Sequence, residues 1–158
     1  DAFWNEERLA KAKKLGLTPT QVITLASIII QETNHEPEQP AMAAVYLNRL
    51  KKGMKLQACP TVIYALKDVE PGIRRVLNRH LNYDSPYNTY KYAGLPPGPI
   101  AVPSLAAIDA VLNRDSNQYL YFCANSNFDG THKFTASYQE HLRNGRAYQK
   151  ALKARQSK

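Results

Sequence analysis

The sequence predicts a single α+β domain over residues 1–158, mostly helical with one small β-hairpin. Three observations carry this expectation. Several stretches open with helix-capping residues ahead of an apolar run. One strand-like run, "QYLYFCA", is followed by the turn "NSNFDG" and a short partner, "THKF". Strands and helices do not alternate as a parallel sheet requires, and no internal repeat or second domain is visible.

The opening "DAFWNEERLAKAKKLG" is a charged amphipathic stretch suited to a solvated helix face. Thr18 then reads as an N-cap, with Pro19 at the first helical position and Gln21 closing a capping box; the helix is expected to reach about Asn34. In "QPAMAAVYLNRLKKG", Pro40 suits a first turn and Gly53 a stop, while Lys51 and Lys52 suit the negative end of the dipole. Pro60 opens a short helical "PTVIYALK", and "PGIRRVLNRHL" predicts another helix. Residues 82–102 mix Pro, Gly, Tyr and Asn without a sustained period, which predicts a long loop. Most connections are far shorter, so this loop is expected to be ordered, to form a cleft wall facing Glu32, and to anchor through Leu95 and Ile100. Pro103 and Ser104 lead into the helical "PSLAAIDAVLN". Ser137 and Glu140 offer a last capping box, before a helix that Asn144-Gly145 is expected to interrupt.

A chain of 158 residues, 44% of them hydrophobic, suffices for one core. No run approaches the roughly 18 apolar residues that span a bilayer, and the start carries no apolar signal core. The absence of an initiating Met suggests part of a longer protein, with any anchor upstream of Asp1. Lys and Arg total 21 against 13 acids, a formal charge of +8 that raises nucleic acid as a partner. The basic residues gather at the two ends without a recognition motif, so solvated helix faces, attracted to anionic envelope material, are expected instead. Cys59 and Cys123 lack metal-ligand spacing; separate buried thiols are expected, a disulfide being the alternative.

Chemistry centres on "ASIIIQETNHEPEQP". Side chains three, four and seven residues apart share a helix face, which stacks Glu32 with Ile29, Ile28 and Leu25. A carboxyl on such a face loses water, so its pKa rises and it becomes a proton donor, as glycosidic cleavage requires. The bland alternative is an ion pair, for instance with Arg49, or a side chain reaching solvent at the helix end. Glu36 and Glu38, beside Pro37, read as solvated. Asn88, Thr89, Tyr87, Tyr90 and Tyr92 in the long loop suit the hydroxyls and apolar faces of a sugar.

The segments "LASI..QET", "VYLNRL.KGM.LQ..PTVIYAL", "SPYNTYKYAGLPPGPIAVPS", "YLYF" and "GTHKF" together resemble the endolytic murein transglycosylases of the YceG-like family. The resemblance implies a lysozyme-like catalytic domain whose long Pro/Gly/Tyr-rich loop lines the cleft. It also implies a bacterial envelope lyase that cuts peptidoglycan strands internally. Such an enzyme sits at the periplasmic face of the cytoplasmic membrane on an N-terminal anchor, with peptidoglycan synthases conceivable as partners. By the same resemblance Glu32 is the catalytic position, and cleft residues are Asn48, Gln57, Thr61, Asn88, Tyr90, Gly94, Leu95, Pro96, Pro97 and His132. Glu32 would protonate the oxygen linking N-acetylmuramic acid to N-acetylglucosamine, then accept the muramyl 6-hydroxyl proton as a 1,6-anhydro ring closes. No metal or cofactor is expected, because no Cys/His/Asp cluster surrounds His132 at ligand spacing.

Three positions depart from the family pattern. Ile30 stands where relatives usually carry a first glutamate, Cys59 where Asp is common before Pro-Thr, and Leu142 where Asn often follows His141. The alternative reading they open is a noncatalytic glycan-binding module that keeps the cleft; binding of nucleic acid rests on charge alone.

Overall fold

The computed structural model describes residues 2–157. Helix α1 (Glu6–Leu15) is capped at Asn5, whose side chain accepts from the Arg8 amide, and closed by Gly16, whose φ of 76° suits a residue without a Cβ. Arg8 reaches across to α5 (Leu105–Leu112) and grips both oxygens of Asp109 at 2.9 and 3.1 Å. Helix α2 (Pro19–Glu32) begins with the expected capping box between Thr18 and Gln21, with bonds of 3.0 and 3.2 Å. It ends two residues sooner than expected, where Thr33 adopts extended backbone.

Helix α2 is the centre of the molecule. Val22, Leu25, Ala26, Ile28 and Ile29 are fully buried against α3 (Gln39–Lys51) and α5. Met42, Val45 and Tyr46 come from α3 and Val111 from α5. Each large aliphatic side chain enclosed in this way contributes about 1.5–3 kcal/mol. Removing one to Ala, Ile28 for example, costs about 2–5 kcal/mol because the cavity does not close.

Short α4 (Cys59–Ala65) starts at the predicted place. The helix expected over 71–81 is absent; only a 3-10 turn, Asn78–His80, forms there. Side chains compete with the helical ladder instead. The Leu77 amide donates to His80 Nδ1 at 2.8 Å, while Arg79 forks onto Glu70 at 2.6 and 3.0 Å and His80 Nε2 meets Glu70 at 3.2 Å.

The long loop has no regular structure and is fastened by buried side chains. Asn88 donates to the carbonyls of Leu81 and Tyr83 at 2.9 and 2.8 Å and accepts from the Tyr90 amide at 2.9 Å. Thr89 Oγ1 accepts from the Ala58 amide at 2.9 Å and pairs with Thr61 Oγ1 at 2.8 Å. At the far end the Ile100 amide donates to Ser27 Oγ of α2 at 3.0 Å, and Leu95 and Ile100 pack on the core as expected.

Strands β1 (Tyr121–Ala124) and β2 (His132–Thr135) pair antiparallel, Tyr121 opposite Thr135 and Ala124 opposite His132. Helix α6 (Tyr138–Gln156) packs on both strands and continues through Asn144-Gly145 without the expected break. Gly145 keeps helical backbone in a half-buried turn, where a Cβ would meet nothing within 4 Å. Only half of its capping box forms: Ser137 Oγ accepts from the Glu140 amide at 3.2 Å, but the Glu140 carboxylate turns to Thr135 Oγ1 at 2.9 Å. Cys59 and Cys123 are both free thiols, and Cys59 is exposed where burial was expected.

Candidate active site

Glu32 is the last residue of α2, so its backbone is fixed by the core while its side chain leaves the helix at a cleft. Its Oε1 accepts from the Tyr46 hydroxyl of α3 at 3.0 Å. Tyr46 is buried and set edge-on against Phe122 of β1, with ring centroids 5.8 Å apart, so the donor cannot swing away. Burial raises the Glu32 carboxyl above its ordinary value; the Tyr46 bond and the nearby His132 act in the lowering direction. The Tyr46 hydroxyl is itself pushed well up by burial and by Glu32, which keeps it a donor.

The ion-pair alternative with Arg49 does not occur. Arg49 donates instead to the carbonyls of Leu120, Lys55 and Leu56 at 2.7, 3.0 and 3.3 Å, tying α3 to the residue before β1 and to the segment before α4. Glu32 therefore keeps a protonatable carboxyl without a permanent guanidinium partner.

His132 reaches the same cleft from the first position of β2. Its backbone amide donates to Glu38 Oε1 at 2.6 Å and its Nδ1 lies 2.9 Å from Glu38 Oε2. A carboxylate at Nδ1 calls for a proton on that nitrogen. Glu38 thus corrects the reading of a solvated residue: its side chain is 12% exposed and holds the hairpin to the segment between α2 and α3. No spacing rule could find a pair 94 positions apart in sequence.

On another side of Glu32, Cys59 Sγ and the Tyr90 hydroxyl are 3.2 Å apart, and both feel the Glu32 charge. Loss of water around the sulfur and the hydroxyl pushes both groups up, although Cys59 as a whole residue is exposed, so each remains neutral near pH 7.

The structure divides the remaining site residues expected from the sequence. The cleft, about 710 Å³, is lined by Glu32 and His132 together with His35, the hairpin turn and two α6 side chains, Tyr148 and Arg155. Asn48, Gly94, Leu95, Pro96 and Pro97 line a separate and larger cavity of about 1150 Å³ beside the α1–α2 junction, away from Glu32. The long loop therefore lines the larger cavity and not the Glu32 cleft, against the expectation of a cleft wall, and only its Tyr90 end comes near Glu32. Asn48 donates to the carbonyls of Asn117 and Tyr119 at 3.0 and 2.9 Å, which steers the chain into β1. Thr61 and Asn88 are fully buried with their polar atoms engaged inside the protein, so they shape the loop and do not face the cleft. Gln57, exposed at a φ of 50°, donates its amide to the Thr89 carbonyl at 3.2 Å. Sequence reasoning missed Tyr46, Glu38, Phe128, Tyr148 and Arg155. The terminal basic residues were expected on solvated helix faces, yet Arg155 lines the cleft.

A core-mounted carboxyl that burial keeps protonatable, backed by a fixed hydroxyl donor and opening on a cleft, defines an α+β domain equipped for general acid–base chemistry. The chain belongs to the YceG-like family, whose sequence profile matches residues 1–147. It is 42% identical over 132 residues to a protein of Bacillus subtilis named endolytic murein transglycosylase, covering 84% of this chain and 35% of that protein. A Streptococcus pneumoniae protein of the same name is 34% identical over 134 residues, covering 84% of this chain and 24% of the relative. The crystal structure of a YceG-like protein from Listeria monocytogenes superposes with a TM-score of 0.76 at 36% identity, covering 85% of this chain and 42% of that one. The chain thus spans less than half the length of these relatives.

Proposed function

We propose that this domain is a peptidoglycan lytic transglycosylase that cuts the β-1,4 bond between N-acetylmuramic acid and N-acetylglucosamine within glycan strands. The observation that carries the reading is Glu32: a carboxyl raised by burial, held by Tyr46 and without a cationic ion-pair partner among the described residues. Hydrolysis with inversion or retention needs two cooperating carboxylates, whereas anhydro-ring closure can use one group twice. Glu32 gives its proton to the bridging oxygen as the C1–O4 bond breaks. The carboxylate so formed is stabilised by the Tyr46 hydrogen bond and then takes the proton from the muramyl 6-hydroxyl as the C1–O6 bond forms. Glu32 ends protonated again, and no water is consumed. Cys59, where a carboxylate is common in relatives, supplies a neutral thiol and no second acid.

On this reading the domain works at the periplasmic face of the cytoplasmic membrane, held there by an N-terminal anchor. Incubation with purified peptidoglycan, followed by mass analysis of the soluble products, tests the proposal. Muramyl ends one water lighter than the hydrolytic product are expected; reducing muramyl ends would refute the reaction type.

A further inference from the structure

The cleft has a second wall that the reaction above does not use. We propose that Phe128, Tyr148 and Arg155 form a glycan subsite in the Glu32 cleft, Phe128 carrying a sugar ring and Arg155 pairing with a carboxylate of the attached peptide stem. This rests on the reading that the cleft takes peptidoglycan.

Phe128 sits in the hairpin turn with a φ of 57°, in the left-handed region that bulky side chains rarely occupy. The surrounding turn holds it there. The Phe128 amide donates to the Asn125 carbonyl at 3.2 Å, Asn127 Oδ1 accepts from the Asp129 amide at 3.1 Å, and Asp129 Oδ1 accepts from the Thr131 amide at 2.9 Å. Backbone strain persists only where neighbours over-determine it, and it gathers where a side chain must be aimed. Here it aims a half-buried ring into the wall of the cleft that contains Glu32.

The ring is fixed from α6. Tyr148 packs at 5.6 Å between centroids and tilted by 50°, and the Arg155 guanidinium lies 4.6 Å from the Phe128 centroid. Aromatic rings present a flat apolar surface that matches the C–H face of a pyranose. Arg155 makes no ion pair among the described residues, although Asp129 lies in the same wall; Asp129 is engaged by Thr131 and Asn127. A planar guanidinium so placed is matched to an incoming carboxylate. In a peptidoglycan strand the carboxylates belong to the peptide stems, which makes stem-bearing muramyl residues the ligand.

Binding can be measured by calorimetry on the Glu32→Gln chain, which prevents turnover. Two ligands are compared: soluble glycan fragments with stems, and stem-free N-acetylglucosamine oligomers of the same length, which carry no carboxylate. Phe128→Gly should weaken both ligands about 3- to 10-fold, and Phe128→Tyr should stay within about twofold of the parent. Gly tolerates the positive φ, so its melting temperature should remain near the parent's and an affinity loss reports the ring. Arg155→Gln should weaken the stem-bearing ligand about tenfold and leave the stem-free one unchanged. Parent-like binding by the Phe128→Gly and Arg155→Gln chains would overturn the subsite while leaving the cleft assignment intact. Equal weakening of both ligands by Arg155→Gln would overturn the stem assignment. Failure of the Glu32→Gln chain to bind either ligand would overturn the subsite together with the reading beneath it.

Discussion

Glu32 is set by one large influence and two smaller ones: burial raises its carboxyl, while the Tyr46 hydroxyl and His132 pull it down. Glu32→Gln should abolish anhydromuramyl product, a loss at or beyond the upper end of the ~100- to 10,000-fold that acid–base catalysis supplies, because one side chain performs both proton transfers. The folded chain holds this proton more tightly than the unfolded chain, so stability from the protonated carboxyl is full below 4.5 and is lost as pH rises through the raised folded value. Melting curves of the Gln variant should therefore match the parent near pH 4 and lie above it near pH 8. An active variant with lowered stability at pH 8 would end the assignment. Tyr46→Phe removes the stronger of the lowering influences, so the alkaline limb of the rate profile should move to higher pH while the plateau falls about tenfold. An unmoved limb would show that the limb does not report Glu32. The helical spacing of Leu25, Ile28 and Ile29 made Glu32 legible as a shielded acid, whereas Tyr46 and Glu38 are brought in by tertiary packing that no local pattern encodes. Ile30, two residues back and so about 200° around the helix from Glu32, packs on the core; a glutamate there would not stand beside Glu32.

Among the elements, those with chemical end-signals were the readable ones. Thr18 with Gln21, Ser104 and Ser137 each cap a helix where the sequence places one, since the cap bonds are local. The segment 71–81 had helical spacing but lost to Glu70, whose carboxylate gathers Arg79 and His80 into a different local structure. Asn144-Gly145 misled in the opposite direction: its turn chemistry yields to a surface helix that packs on the hairpin along its length. Gly145 lies inside that helix, and a Cβ there would meet nothing within 4 Å. Gly145→Ala should accordingly stabilise the protein by about 0.5–1 kcal/mol, read as a higher midpoint in thermal unfolding with activity unchanged. A lowered midpoint would mean that the helix is strained or broken at this point after all.

At the scale of the molecule, the single core organised on α2 and the α+β architecture were legible because hydrophobic period and capping agree from Thr18 to Lys51. The placing of the long loop on the larger cavity and off the Glu32 cleft was not, because its composition announces irregularity without saying which side chains turn inward. Those inward side chains have a kinetic corollary. The amides of Ala58 and Ile100 lie in irregular chain, yet each ends on a hydroxyl of a buried residue, Thr89 and Ser27. In heavy water both should keep their protium about as long as amides in the middle of α2, because freeing them requires the core to open. Loss of label at these two positions on the timescale of ordinary surface loops would mean that the loop lifts off independently. Retention would make the loop, the floor beneath it and the Glu32 helix one cooperative unit that opens and closes together.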